Sequence, residues 1–134
     1  MPLAAAWCLT TAIAAAGPPA IDYQKQIKPL LAKHCNGCHG SRKTMSGFRT
    51  DAGRLATRGG DRGAGIVPGK PDKSLLFQAL LGSDDLERMP YEKPPLKKTE
   101  IALIREWIVE GGKSPADESI PGERRSSDHW AFQP

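Results

Sequence analysis

The pentapeptide Cys35-Asn36-Gly37-Cys38-His39 constrains this chain more than any other stretch. Two thiols lie within one turn of backbone, and an imidazole follows at once. A thioredoxin-like dithiol with this spacing needs a βαβ frame, which the pattern of the chain does not provide. A zinc site needs a second ligand pair, and His34, adjacent to Cys35, cannot close a tetrahedron with the other three without severe strain. A Cys35–Cys38 disulfide stays open as an alternative, but it leaves His39 unexplained. Composition sharpens the question. Only 6% of the 134 residues are aromatic, and Gly 14 and Pro 12 signal long loops. A single domain with so small a core is marginal unless a staple or a cofactor fills it.

The spacing fits covalent c-type heme attachment. Two thiols add to the two vinyl groups on one edge of the porphyrin, which demands a short fixed separation. The next residue then projects beneath the iron, so His39 is the expected proximal ligand, and Gly37 is expected to keep the turn free of a clashing side chain. The chain has three methionines. Met1 falls in the apolar N-terminal segment. Met45 lies six residues past His39, too close to pass around the porphyrin edge. Met89, fifty residues on and followed by Pro90, is the candidate for the other axial position, with its loop fixed by the proline. A plain loop methionine is the bland reading of Met89, and His129 is a competing ligand. His34 reads as a helix-end histidine. One heme c, bound by Cys35, Cys38, His39 and Met89, is therefore expected.

Residues 1–20 carry no charged side chain and end in Gly17-Pro18-Pro19. They resemble the apolar part of a secretory signal, with Ala14-Ala15-Ala16 as a small-residue cleavage site, although no Lys or Arg precedes the run. The stretch is too short and alanine-rich for a membrane span. Export to the periplasm or another extracytoplasmic space is the resulting expectation, with nucleic acid excluded as a partner. Cys8 would leave with the signal. The net charge of +4 reads as a solvated face.

Apolar residues at helical offsets predict a helix over 22–34, kinked or opened at Pro29. Residues 40–71 show no period and read as a long glycine-rich loop. A short helix comes next with Asp72 or Ser74 as cap, Leu75, Leu76, Ala79 and Leu80 buried, and Gly82 as stop. The clearest helix starts at Thr99 as N-cap, carries Ile101, Ile104, Trp107 and Ile108 inward, and stops at Gly111-Gly112. Trp107 is expected against the N-terminal helix and the heme edge, with the heme itself serving as the core. Residues 113–134 are polar and read as a linker or tail. The Gly59–Lys70 loop matches neither a Walker nor a dinucleotide pattern; its cations Arg58, Arg62 and Lys70, with Arg54, are open candidates for the heme propionates.

With these residues in place, 21–112 resembles the planctomycete-type cytochrome c domain. The resemblance runs through Cys35-Asn36-Gly37-Cys38-His39-Gly40, Ser46-Gly47-Phe48-Arg49-Thr50-Asp51, Ile66-Val67-Pro68-Gly69-Lys70-Pro71, Ser74-Leu75-Leu76, Arg88-Met89-Pro90, Leu96 and Trp107-Ile108. Phe48 and Tyr91 depart from the residues more common there. The resemblance implies an all-α fold: a small cytochrome c-like bundle of 3–5 helices and long loops wrapped around one covalent heme, with His39 and Met89 axial. It also implies that such a domain opens a larger exported protein, residues 128–134 resembling the first part of a further segment. The expected function is single-electron transfer to a redox protein partner, without a small-molecule substrate. The chain is then an electron carrier, or the redox module of a larger oxidoreductase, rather than an enzyme by itself. A heme enzyme or gas sensor with an open sixth coordination site is the alternative.

Overall fold

The computed structural model describes residues 16–123. Residues 1–15, His129 and the aromatic tail end lie outside the described residues, as do Met1 and Cys8. Every regular element described is helical: α1 (Lys28–His34), α2 (Gly53–Arg58), α3 (Leu75–Leu81) and α4 (Lys98–Val109). Among the described residues there is no strand, only isolated bridges such as His39 with Thr44. A small all-α architecture with four helices is the result.

The helix expected over 22–34 changes winding along its length. Asp22 Oδ1 accepts from the Lys25 amide at 3.0 Å, and Tyr23–Ile27 form a wide π-helical turn. Pro29, which has no N–H to donate, falls in the first turn of α1, where that loss costs least. α3 does follow Ser74 and stop at Gly82 (φ 71°), but Ser74 does not cap it. Its buried hydroxyl accepts from the Val67 amide at 2.9 Å and donates to the Lys70 carbonyl at 2.9 Å. Ser74 thus stitches the preceding loop to the helix start. α4 begins two residues earlier than Thr99 suggests: Lys97 is the N-cap, and its amide donates to Glu100 Oε2 at 2.9 Å. Gly111 (φ 109°) and Gly112 (φ 62°) end it, as expected of residues free to adopt positive φ.

The sequence hides α2. Residues 40–71 lack a period, yet Gly53–Arg58 are helical, with Leu55 and Ala56 buried. Leu55 and Ala52 pack with Ile120, so this helix is defined by a partner far along the chain.

Much of the core is built by the polypeptide itself. Ile27, Leu31, Ile66, Ile104, Trp107 and Ile108 are almost fully buried in one polypeptide cluster. Trp107 stacks on Tyr23 with ring centroids 5.6 Å apart, and its indole N–H donates to the Lys113 carbonyl at 2.8 Å. Satisfying that polar atom lets the ring be buried at little cost. Trp107 therefore anchors the chain's own core and does not line the cavity described below.

Residues 113–123, linker-like in composition, form a strap across the domain. Ser114 sits against Gly53, where no side chain would fit. Glu118 is buried, with its side chain 1% exposed. It accepts from Tyr23 Oη, Lys28 Nζ and the Gly53 amide, each at 2.8 Å. Arg49 pairs with Asp51 through Nε and Nη2 and donates from Nη2 to the Pro121 carbonyl at 2.8 Å. A polar segment can be held this firmly because its contacts are charged hydrogen bonds rather than apolar burial.

Candidate functional site

The site begins where α1 ends. Asn36 and Cys35 amides both donate to the Leu31 carbonyl, and the Cys38 and His39 amides return to the Cys35 carbonyl at 3.1 and 2.9 Å. This turn places Cys35 inward and leaves Cys38 exposed. Both thiols are free, with no disulfide between them. Burial pushes the Cys35 thiol up to about 11, so it is held protonated at neutral pH rather than as a reactive thiolate.

Gly37 is not the glycine that this turn requires. A Cβ there would meet nothing within 4 Å, whereas one at Gly40 would stand 2.5 Å from the Asn36 carbonyl oxygen. The constraint falls one residue after the histidine, where the chain doubles back and the Gly40 amide donates to the Lys43 carbonyl at 2.8 Å. Replacing Gly40 with alanine is expected to cost about 1–3 kcal/mol, as overpacking against backbone does. Gly37→Ala should stay within about 0.5 kcal/mol. Paired thermal melts check this contrast, and equal losses at the two positions would overturn it.

His39 is oriented by backbone. Its Nδ1 lies 3.2 Å from the Met45 carbonyl and 3.3 Å from the Phe48 carbonyl. With two acceptors and no donor at that nitrogen, the proton belongs on Nδ1 and the Nε2 lone pair is left for a ligand-binding role. Phe48 supports the ring at a centroid distance of 5.2 Å. Thr50 closes the arrangement: its amide donates to the His39 carbonyl and its hydroxyl to Asn36 Oδ1 at 2.7 Å.

Cys35, His39 and Met89 line one cavity of about 770 Å³, counted to its open mouth. Its walls are chiefly apolar: Leu75, Leu76, Ala79 and Leu80 from α3, with Phe48 and Leu86. The glycine loop 60–65 forms another side. Gly65 is indispensable there, because a Cβ would stand 2.9 Å from the Phe48 ring and closer still to the Ala56 carbonyl. Met89 is carried by a loop whose position is set by its own amide, which donates to the Ala79 carbonyl of α3 at 2.7 Å. Cys38 lies outside the cavity wall. Met45 is 49% exposed and does not line the cavity. His34 sits apart from it, 3.4 Å from Glu100.

The donor set suits a tetrapyrrole bearing iron. One thiol on the wall with a second three residues on, an imidazole with its outer nitrogen occupied, a thioether on the same cavity and apolar walls are groups such a cofactor uses. Among the described residues, no three His, Cys, Asp or Glu side chains gather as a bare metal ion would require. Sequence reasoning found the ligand candidates but not Thr50 or Gly40. Thr50 in the Phe48–Asp51 run gives no outward signal of its role.

No curated protein and no solved structure matches the chain. Residues 35–93 match a family model described as Planctomycete cytochrome C. The matched stretch opens on Cys35 and takes in the cavity walls, His39 and Met89. Over that stretch the chain is similar to the planctomycete cytochrome C family.

Proposed function

We propose that this chain is a heme-binding electron carrier, with Cys35 and Cys38 holding one heme c through thioether bonds, His39 as one axial ligand and Met89 as the other. The observation that carries this reading is the convergence of Cys35, His39 and Met89, fifty residues apart at the extremes of the ligand pair, on a single apolar cavity. When bound, the heme supplies a reversible one-electron couple at iron. The protein's part is to hold that couple with little rearrangement. The Met45 and Phe48 carbonyls fix the imidazole in one tautomer, and the Ala79 carbonyl fixes the Met89 loop. The α3 wall keeps water from the inner face of the cavity. Exposed Cys38 marks an edge at which electrons reach a partner. That partner is an acceptor or donor protein, and the chain by itself alters no substrate bond.

Delivery outside the cytoplasm is part of this reading. It is supported by the uncharged residues 1–20 and by the cytochrome domain, a type typically exported. No helix among the described residues is long and apolar enough to cross a membrane.

Met89→Ala tests the ligand assignment. Loss of the thioether is expected to abolish the far-red sulfur-to-ferric-iron band and open the reduced protein to carbon monoxide. The reduction potential should fall on the order of 0.1 V, within the roughly 0.8 V over which axial ligands tune heme. Carbon monoxide affinity and potential equal to those of the parent would show that Met89 is not a ligand. Carbon monoxide binding by the parent itself would favour the open-site alternative.

A further inference from the structure

A heme carries carboxylate arms as well as vinyl groups, and a carboxylate at the rim of an apolar cavity needs a cation or a free amide. This inference rests on the cavity being a heme site. Among the described residues, the one cation that lines the cavity is Arg62. Arg54 is turned elsewhere, donating to Glu123 at 2.9 Å, and Arg58 and Lys70 do not reach the wall. Three of the loop's own amides, those of Gly60, Asp61 and Gly63, are already committed. Gly60 and Gly63 bond each other's carbonyls, and Asp61 donates to the Ser46 carbonyl at 2.9 Å.

Arg62 also spans the mouth. Its Nη2 donates to the Asp85 carbonyl at 3.1 Å, joining the glycine loop to the Ser83–Leu86 turn, from which Leu86 lines the cavity. That bond uses one of the five N–H donors of a guanidinium. Asp61, the other charged group on the wall, has its Oδ1 2.5 Å from where a Gly47 Cβ would stand. The absence of a side chain at Gly47 thus makes room for that carboxylate beside the Ser46–Gly47 backbone.

We propose that Arg62 is the carboxylate-binding residue of this cavity, its guanidinium, held across the mouth by the Asp85 carbonyl, pairing with a propionate-type carboxylate of the bound tetrapyrrole. A planar fork matches a carboxylate in two bonds, which a lone ammonium matches less well.

The test uses heme-loaded parent, Arg62→Gln and Arg62→Lys, with covalent heme verified by intact mass in each. Asp61, Asp84, Asp85 and His39, the titratable groups of the surrounding loops and wall, are present in all three, and an Asp61→Asn background separates their response from that of the bound carboxylate. At neutral pH the Gln variant is expected to show a lower reduction potential, because an uncompensated carboxylate favours ferric iron. The deficit should vanish on acidification. Without the guanidinium the carboxylate takes up its proton about one pH unit or more above the parent's value. Arg62→Lys should restore most of the potential and of the pH profile. A loaded Gln variant matching the parent in both measurements overturns the proposal. So does a Lys variant as depressed as the Gln variant, since packing rather than charge would then be what Arg62 supplies. A Gln variant that loads no heme beside a loaded Lys variant supports it. A parent that loads no heme sinks the heme-site reading itself, a result distinguishable from the others.

Discussion

The double variant Cys35→Ala/Cys38→Ala is expected to leave a heme-attaching host with no covalently added mass, whereas the parent carries the mass of one heme. The two thiols are not equivalent. Cys35 is an intermediate-burial residue on the cavity wall and Cys38 is exposed. Cys38→Ala should therefore keep a single inner thioether at most, with much less holoprotein, and Cys35→Ala should lose the bond that seats the macrocycle against α3. His39, still held by the Met45 and Phe48 carbonyls, could retain some heme that acid and organic solvent extract. Intact mass and a covalent-heme stain on denaturing gels check all three variants. Undiminished covalent heme in the double variant would remove the attachment site from this pentapeptide altogether.

Glu118→Ala is expected to destabilise the fold by about 3 kcal/mol. The Tyr23 hydroxyl and the Gly53 amide would lose their acceptor in a buried place, each at about 1–3 kcal/mol. Lys28, 39% exposed, can recover hydration and adds little. Burial pushes the Glu118 carboxyl up, but Lys28, the Gly53 amide and Tyr23 together outweigh it and hold the group below its ordinary range. Tyr23 is raised, by burial first and by Glu118 second, so it stays a donor. A carboxyl that ionises more readily folded than unfolded stabilises the protein above the unfolded value, about 4.3. That contribution fades as pH falls through the folded value. Melting temperature should thus drop less steeply below about pH 4 in Glu118→Gln than in the parent. Equal acid slopes, or an alanine variant as stable as the parent, would show that the strap is held by other means.

What could be read from the chain depended on how local the physics was. Cys35, Cys38 and His39 stand out as candidates because the attachment chemistry proposed for them would fix their spacing within five residues. α4 was legible because Ile104, Trp107 and Ile108 repeat at the helical period and glycines stop it. Elimination among three methionines made Met89 the candidate, and it does line the cavity. α2 could not be read: of its six residues Leu55 packs with Ile120, more than sixty residues away, while Ala56 joins the main cluster, and neither partner is announced locally. The strap failed for the opposite reason. Ser, Pro and Glu normally mark solvated chain, and nothing in Glu118 itself announces three donors waiting on two other elements. Gly40 was passed over for Gly37 because both sit in the same short turn, and only the path of the backbone decides which of them faces a carbonyl.

The strap lies beyond the matched residues 35–93, yet it is fastened to the same body, at Gly53, Tyr23 and Lys28. A tug on the chain past residue 123 therefore meets Arg54 on Glu123 first, then Arg49 on the Pro121 carbonyl, and Glu118 last. Those three moorings contribute nothing to the cavity wall. Load entering from that end meets charged hydrogen bonds before it meets the elements that carry His39 and Met89.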